Sequence, residues 1–209
     1  MSTWLTEMAT LPFTSPPKWD AQNLSNSFWH IQGIDVNLTD RSGLAALHFA
    51  SQLALTETVK LLLAHPDDIN VNQQTKTGTI PLSFACFLGK ELIVRELLKD
   101  PRVDAAITDD SGCTALWKAA YMGREGIIEW LIASGKDLGD LNRKGKSSTL
   151  HKKYSAIEVA RVRSHTEVVA LLERFMGNPT RIRHKIKGEG GSSRCSGDRA
   201  VCLDGFLLR

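Results

Sequence analysis

A segment of about 33 residues recurs four times along the chain, and this repetition constrains the fold more than any other feature. Each copy starts with turn residues around a glycine and continues with two short apolar stretches at helical spacing. The intervals between the turn glycines are 35, 34 and 33 residues, in the order Gly43, Gly78, Gly112 and Gly145. Such a period predicts small units stacked side by side, since no single copy can bury its own apolar face.

The third copy shows the pattern of one unit most clearly. Residues 109–112 favour a turn, because Gly112 can adopt a positive φ without a Cβ clash. A first helix then follows and closes at Gly123, and a second helix closes at Gly135. Helices shorter than roughly 12 residues are marginal in water on their own, so each unit needs neighbours to cover its apolar residues. Those residues are Leu116, Ala119 and Ala120 in the first helix and Ile127, Ile128, Leu131 and Ile132 in the second.

With these residues, the chain resembles the ankyrin-repeat family, whose pattern begins D-x-x-G-x-T-P-L-H-x-A-A. Residues 40–50 read D-R-S-G-L-A-A-L-H-F-A, and residues 109–120 read D-D-S-G-C-T-A-L-W-K-A-A. The resemblance covers roughly two thirds of the chain. It implies an all-α solenoid of helix-turn-helix units joined by β-turn finger loops, with irregular extensions at both ends. The implied units are 40–72, 75–106, 109–142 and 143–175, within a domain of residues 40–176.

The resemblance also implies which residues hold the framework together. No copy keeps both the Thr and the His that hydrogen-bond within the family's first helical turn: His48 lacks the Thr, and Thr114 is followed by Trp117 instead of His. This departure concerns local rigidity rather than the fold, and Trp117 is expected to pack between units. The implied framework residues are Gly43, Leu47, His48, Ala50, Gly78, Pro81, Leu82, Gly112, Thr114, Leu116, Ala119, Gly123, Ile157 and His165.

The residues on either side of the repeats do not follow the pattern. Residues 1–26 are irregular but rich in aromatic and leucine residues, which suits a segment that caps the first unit; a linear peptide motif and an artefact of the gene model are the alternatives. Residues 27–39 are expected to be the remnant of a degenerate repeat. Residues 177–209 are expected to form a basic, disordered tail, although residues 180–187 would also suit a short amphipathic helix docked on the last unit.

The fourth copy contains an insertion. Twelve residues lead from Gly145 to Ile157, where the third copy needs four, so eight residues are added. Either a solvated surface loop or a site for an acidic partner accounts for this stretch. Its basic residues are Lys144, Lys146, Lys152 and Lys153.

Composition and charge exclude several classes of protein. A hydrophobic fraction of 42% and a charged fraction of 23% are those of a folded, soluble chain, and no apolar run is long enough for a transmembrane helix. The start of the chain lacks the basic region of a secretory signal, and the four cysteines have no C-x-x-C spacing. We therefore expect an intracellular protein of the cytoplasm, the nucleus or both, which is neither secreted nor embedded in a membrane.

No pattern predicts catalysis, a cofactor or a metal site. The sequence lacks the common phosphate-binding, dinucleotide-binding, metalloprotease and hydrolase motifs. The six histidines do not pair at metal-ligand spacing, and His48 and His165 take positions that are structural in the family. The adjacent carboxylates at 67–68 and 109–110 suit turn capping. Cys86 replaces an alanine at a helix-packing position and is expected in the core.

The remaining candidate is a binding surface. In the ankyrin family, partners are held by the turn tips and by two variable residues late in each first helix, which line a concave face. Large apolar residues at these helix positions predict an apolar stripe that binds a partner, unless they turn inward or the chain itself covers them. The residues carried over as partner-binding are Arg41, Gln52, Leu53, Lys76, Phe87, Leu88, Asp110, Tyr121 and Met122, with Val162 and Arg163 in the fourth unit.

These observations lead to three candidate functions. The first is a monomeric, non-catalytic scaffold that binds a protein partner. The second is binding of nucleic acid or an acidic surface through the Lys-rich insertion and the basic tail; it ranks lower because no aromatic residue for base stacking is interleaved with those lysines. The third is a fragment of a larger enzyme whose repeats recruit the substrate. The residues do not identify the partner, because one fold serves many partners.

Overall fold

The computed structural model describes residues 35–64, 69–147, 149–150 and 152–189. Over these residues the regular secondary structure is helical, and two isolated antiparallel bridges join Thr39 to Ala45 and Gly145 to Tyr154. The helices, numbered in chain order, are α1 (Ala46–Gln52), α2 (Thr56–Leu63), α3 (Pro81–Leu88), α4 (Glu91–Lys99), α5 (Ala115–Tyr121), α6 (Glu125–Ser134), α7 (Ala156–Val162), α8 (Thr166–Gly177) and α9 (Pro179–Glu189).

The helices of the four units form a stack with two layers. The first helices of the units, α1, α3, α5 and α7, contact each other in sequence order, and the second helices, α2, α4, α6 and α8, do the same. Within each unit the first helix also contacts the second. Every helix therefore covers its apolar side with neighbours from its own unit and from the next one, as helices of this length require. This arrangement confirms the predicted all-α repeat solenoid.

One leucine position marks the apolar seam between units. Leu47, Leu82 and Leu116 are the second residues of α1, α3 and α5, and all three are buried. Full burial of a leucine side chain contributes about 1.5–3 kcal/mol, so this position stabilises each contact between units. Ile157 takes the same position in α7 but is only half-buried. Three residues later in each first helix, a buried alanine lets adjacent helices approach closely: Ala50, Ala85, Ala119 and Ala160.

The turns are capped by a side chain and joined from unit to unit. Asp40 Oδ1 accepts hydrogen bonds from the backbone N–H groups of Ser42 and Leu44, both at 2.8 Å. Asp109 repeats this cap in the third unit. Successive turn tips are also linked through the backbone, which fixes the spacing between units. In these links the N–H groups of Lys76, Asp110 and Lys146 donate to the carbonyl oxygens of Ser42, Thr77 and Ser111, respectively, at 3.0, 3.1 and 3.0 Å.

The fourth turn departs from the register that the glycine spacing suggests. Gly145 pairs with Tyr154 through two backbone hydrogen bonds of 2.9 Å, in the place where Asp109 donates to Cys113 at 3.1 Å. Gly145 therefore occupies the position of Asp109 rather than that of Gly112. In agreement with this, Gly112 has a positive φ and Gly145 does not. Eight residues separate Gly145 from Tyr154, and three separate Asp109 from Cys113. The insertion thus adds five residues, and the expectation of eight is wrong.

The link between the two helices of each unit requires one residue in the left-handed conformation. Gly89 and Gly123 supply it in the second and third units, with φ values of 74° and 67°. The same position holds Ala54 in the first unit and Ser164 in the fourth, with φ values of 59° and 61°. Residues with a Cβ are disfavoured in this conformation, so two of the four links carry backbone strain.

Residues 179–189 form a helix in a segment where we expect a disordered tail. Pro179 starts the helix, which suits a residue that lacks an N–H donor. Helix α9 contacts α6 and α8, and the Arg183 guanidinium lies 5.6 Å from the centroid of the Phe175 ring. The docked helix is therefore the better of the two interpretations of this stretch. Residues 190–209 lie outside the described residues.

Other expectations also concern residues that the structure does not describe: the cap at 1–26, most of the repeat remnant at 27–39, and the carboxylates at 67–68. At the described end of the remnant, Asn37 Oδ1 accepts a hydrogen bond of 2.7 Å from the backbone N–H of Asn70, which ties it to the loop of the first unit. Within the part of the chain that the structure describes, no helix has the length and apolar character needed to cross a membrane.

Candidate functional site

His48 ties the first unit to the second. The side chain is buried on α1, where Nδ1 accepts a hydrogen bond of 3.1 Å from the backbone N–H of Ala45. Nε2 lies 3.1 Å from the carbonyl oxygen of Thr79. Burial lowers the pKa of His48, so the neutral ring is favoured, and its one proton belongs on Nε2, which then donates to Thr79. Through these contacts the His48 side chain joins α1 to the segment that precedes α3.

Trp117 performs the same task between the third and fourth units. Its backbone N–H donates to Thr114 Oγ1 at 3.1 Å, and its indole Nε1–H donates to the carbonyl oxygen of Tyr154 at 2.7 Å. Tyr154 precedes the first helix of its unit, as Thr79 does in the second. The expected packing of Trp117 between units is confirmed. The tryptophan replaces the histidine of the family pattern without loss of the tie between units.

His165 links the fourth unit back to the third from the start of α8. Its Nε2 lies 3.2 Å from the carbonyl oxygen of Tyr121. The ring also packs against the backbone at Gly123, where an added Cβ would lie 2.6 Å from His165 Nδ1. Both His165 and Gly123 therefore take part in the contact between the third and fourth units. These ties leave the first helices in fixed positions, and their outward side chains form the candidate site.

Four large apolar side chains of the first helices are exposed, and we refer to them as the first-helix face. Leu53 is 64% exposed, Phe49 42%, Phe87 39% and Val162 49%. Leu53, Phe87 and Val162 are positions that the family resemblance marks as partner-binding. Phe49 is a residue that the sequence reasoning missed, although its place four residues before Leu53 puts both on one side of the helix.

Tyr121 contributes little to this face, contrary to its expected role as a binding hot spot. It is only 7% exposed. Its ring stacks on Trp117 and Phe87, with centroids 5.4 and 6.4 Å apart. The Arg163 guanidinium covers the ring at 4.7 Å from its centroid, and the hydroxyl lies 2.7 Å from Thr149 Oγ1. Tyr121 therefore supports Phe87 from behind rather than presenting its own ring to a partner.

The third unit interrupts the apolar character of the face. Lys118 occupies the fourth residue of α5, the position that Phe49 holds in α1. Its Nζ lies 2.9 Å from Asp109 Oδ2 and 3.2 Å from Thr79 Oγ1. Both charged side chains are mostly buried, so the pair fastens the helix to the turns rather than offering a charge to solvent. The exposed apolar residues are consequently concentrated in the first two units, with Val162 further along.

The other predicted binding residues lie around this face with different exposures. Gln52 is exposed, whereas Leu88 and Met122 are half-buried beside the helix ends. The turn tips at Arg41, Lys76 and Asp110 are exposed and carry charges of both signs. The structure thus offers polar side chains at the turn tips and apolar side chains along the helices, which is the general layout of a protein-binding patch.

A groove of about 380 Å³ lies beside α7. One wall comes from the turn and insertion that precede α7, and the other comes from α7 itself. Lys144 Nζ lies 3.6 Å from the carboxylate of Glu158, and the pKa of Glu158 is lowered, mainly by a hydrogen bond from the backbone N–H of Ser155. We call this feature the basic groove, and its lining residues are Lys144, Lys152, Lys153, Tyr154, Glu158, Arg161 and Val162.

Nothing in the described residues points to reaction chemistry. Cys86 is buried in α3, as expected of a small core residue, and burial raises the pKa of its thiol. Burial also raises the pKa of Cys113, to about 12. Neither thiol is thus available as a thiolate nucleophile at neutral pH. Across the described ranges, no three His, Cys, Asp or Glu side chains are grouped so that they could hold a metal ion.

Stacked pairs of short helices, tied by turn tips and by buried side chains, define a helical repeat protein. A family model described as ankyrin repeats (3 copies) matches residues 21–108 and 47–144. Because these matches together cover more than half of the chain, the protein belongs to the ankyrin-repeat family. Ankyrin repeats are generally protein-interaction modules and are typically not catalytic.

Curated proteins with similar sequences include neurogenic locus notch homolog protein 1 of Xenopus laevis and of Mus musculus, each 33% identical to this chain over 112 residues. The protein of the same name from Homo sapiens is 32% identical over 112 residues. In each case the match covers 54% of this chain and 4% of the relative. The chain therefore spans only a small part of the length of the curated relatives that it matches.

Proposed function

We propose that this protein is a non-catalytic interaction module that binds a protein partner through the first-helix face and the neighbouring turn tips. The observation that carries the proposal is the exposure of Phe49, Leu53 and Phe87 at the first helices of adjacent units. Neighbouring exposed apolar side chains with polar residues around them are typical of protein-binding surfaces. In this family the corresponding side of the stack is where partners bind.

The packing behind Phe87 supports its role as an anchor. Phe87 stacks on Tyr121, which in turn stacks on Trp117, and Trp117 is held by its bond to Tyr154. A side chain that is already fixed loses little conformational freedom on binding, which favours affinity. Aromatic residues held in this way are frequent among the residues that dominate binding energy.

The charged turn tips suit a role in specificity. Arg41, Lys76 and Asp110 lie at successive, hydrogen-bonded turns, so their spacing is set by the stack. Exposed charges at the edge of an interface change association rates and exclude wrong partners more than they raise affinity. A partner is therefore expected to present an acidic group to Arg41 and Lys76 and a basic group to Asp110.

A capture experiment with matched variants tests the proposal. Leu53→Glu/Phe87→Glu places two charges on the first-helix face. Leu61→Glu/Leu92→Glu places the same charges on exposed leucines of the second helices and serves as the control. Proteins bound by the wild-type chain from native cell extract are identified by mass spectrometry, and circular dichroism verifies that each variant keeps its helical content.

We expect a specific protein to be captured by the wild type and by the control pair but not by the Leu53/Phe87 pair. Capture that survives Leu53→Glu/Phe87→Glu would show that the first-helix face is not the binding surface. Equal loss in both variants would show that binding depends on general surface charge. Either result would contradict the proposal.

The same proposal includes an intracellular, monomeric protein. The free thiols of Cys86 and Cys113 are consistent with a reducing compartment. Light scattering coupled to gel filtration is expected to give the mass of one chain, and a tagged chain is expected in the cytoplasm or nucleus. A dimer mass, or recovery from the culture medium, would contradict these two points.

A further inference from the structure

The basic groove lies on a side of α7 that is constructed differently from the same side of the other first helices. The third and sixth residues of α1, α3 and α5 are buried within the stack: His48 and Ser51, Ser83 and Cys86, Trp117 and Ala120. The same positions of α7 hold Glu158 and Arg161, which are both partly open to solvent. Charged residues at these positions do not suit the packing of another helix pair. They do suit a site for a charged ligand.

The charges in the groove are not balanced by its own residues. Among the described lining residues, four side chains are cationic and Glu158 is the one carboxylate. Glu158 is engaged by the Ser155 N–H and by Lys144, and Arg161 pairs with Glu173 on α8. Within the described residues, Lys152 and Lys153 make no ion pair, and both are exposed. The groove therefore has an excess of positive charge at the lysines of the insertion.

We propose that the basic groove binds an acidic segment of a protein partner, whose carboxylates pair with Lys152 and Lys153. Charge complementarity argues for this occupant, since two exposed ammonium groups beside a groove attract anionic side chains. Val162 belongs both to the lining of the groove and to the first-helix face. One partner chain that runs along the first helices would thus reach the groove. The inference deepens the proposed function and rests on the partner being a protein.

The residues that line the groove favour a peptide over a nucleic acid. Binding of a single strand uses an extended basic track together with aromatic rings on which bases stack. Among the described lining residues, Tyr154 is the one aromatic residue. It is half-buried, with its backbone hydrogen-bonded to Gly145 and to the Trp117 indole. A basic lining with an apolar residue at Val162 instead suits carboxylates that are followed by an apolar side chain.

Fluorescence anisotropy with defined probes tests the inference without the native partner. The first probe is a short fluorescein-labelled peptide that alternates glutamate and leucine, and the second replaces each glutamate by glutamine. The third is a short labelled single strand of DNA. Each probe is titrated with the wild type, with Lys152→Glu/Lys153→Glu, and with Lys60→Glu/Lys99→Glu. The last variant is the control, because it changes net charge equally at exposed lysines of α2 and α4.

The glutamate peptide is expected to bind the wild type and the control, with affinity that falls as salt is raised. Lys152→Glu/Lys153→Glu should weaken this binding by about tenfold or more. Equal weakening by both variants, equal binding of the glutamine peptide, or no binding at low salt would overturn the inference. Tighter binding of the DNA that depends on Lys152 and Lys153 would also overturn it, in favour of a nucleic-acid site.

The outcomes separate this inference from the proposed function. Suppose that Leu53→Glu/Phe87→Glu still captures the native partner while Lys152→Glu/Lys153→Glu no longer binds the glutamate peptide. The proposal that the first-helix face binds the partner is then wrong, and the proposal for the basic groove is supported. Suppose instead that the peptide binds the wild type, the Lys152/Lys153 variant and the Lys60/Lys99 variant alike, while Leu53→Glu/Phe87→Glu abolishes capture. The proposal for the basic groove is then wrong, and the proposed function is supported.

Discussion

The four links between first and second helices allow a controlled test of backbone strain in one molecule. Two links use glycine in the left-handed conformation, at Gly89 and Gly123, and two use Ala54 and Ser164 with φ of 59° and 61°. Ala54 and Ser164 are both exposed, so their side chains contribute little packing. We therefore predict that Ala54→Gly and Ser164→Gly each stabilise the protein.

The magnitude follows from two opposing effects. A residue with a Cβ in the left-handed region costs roughly 1–2 kcal/mol relative to the right-handed region, and glycine removes that cost. Glycine also raises the entropy of the unfolded chain, which offsets about 0.4–1 kcal/mol. The expected gain is about 0.5–1 kcal/mol per site. The two sites are separated by two units, so the double variant should gain about 1–2 kcal/mol, or a rise in Tm of about 2–8 °C.

The reverse substitutions should follow a predictable order. In Gly89→Ala the new Cβ would lie 2.8 Å from the side chain of Arg124, which is exposed and can move. In Gly123→Ala it would lie 2.6 Å from the His165 ring, which is held at the Tyr121 carbonyl. Both variants should be destabilised, and Gly123→Ala more strongly, because a fixed ring cannot withdraw as a flexible side chain does.

Urea unfolding followed by far-ultraviolet circular dichroism measures each free energy of unfolding. Ala46→Gly, at an exposed position in α1, is the control and should destabilise the protein by up to about 1 kcal/mol. If Ala54→Gly/Ser164→Gly is no more stable than the wild type, the assignment of strain to these links is wrong. It is equally wrong if Ala46→Gly stabilises the protein to the same extent, since the gain would then not depend on φ.

Three further predictions concern the ties between units. Trp117→Phe should lower the free energy of unfolding by about 1–2 kcal/mol, because it removes the indole donor to Tyr154. An unchanged urea midpoint would show that this hydrogen bond does not stabilise the contact between the third and fourth units. The pKa of His48 in the folded chain is below its usual 6.5, so the unfolded chain binds a proton at this residue more readily than the folded chain does. The free energy of unfolding should therefore fall as the pH drops from about 7 to 5. His48→Gln should flatten this slope, and equal slopes would refute the account. Gly145→Ala would place a Cβ 2.6 Å from Cys113 Sγ and should destabilise by about 1–3 kcal/mol; a double-mutant cycle with Cys113→Ala should recover part of that loss.

The fold could be predicted because each unit meets the same packing requirement. The buried leucine at Leu47, Leu82 and Leu116 and the turn glycines recur in phase, and tertiary packing satisfies the same pattern in each copy. The register of the fourth turn could not be predicted from glycine spacing. Gly145 lies 33 residues after Gly112 by coincidence, because it takes the position of Asp109 in the turn and not that of Gly112. The backbone bridge to Tyr154 is needed to align it.

The candidate site was only partly predictable, because exposure depends on residues from other units. Leu53 and Phe87 are exposed as the family pattern implies, but Tyr121 is covered by Arg163 from the next first helix and by Thr149 from the insertion. Neither contact has a counterpart in the repeat pattern. Phe49 could have been found from its spacing to Leu53, whereas the burial of Tyr121 required the coordinates.

The interior and the surface of the first helices differ in how far their residues recur from unit to unit. The buried leucine and alanine positions recur in neighbouring units, since every unit must fit its neighbours. The outward-facing positions do not repeat: Phe49 and Phe87 are apolar and exposed, Lys118 is mostly buried in an ion pair with Asp109, and the groove beside α7 is basic. A fold shared by many proteins cannot select a partner by itself. Under the two proposals, selection comes from the order of these chemistries along the stack, so the partner should be apolar where it meets the first two units and acidic where it meets the fourth.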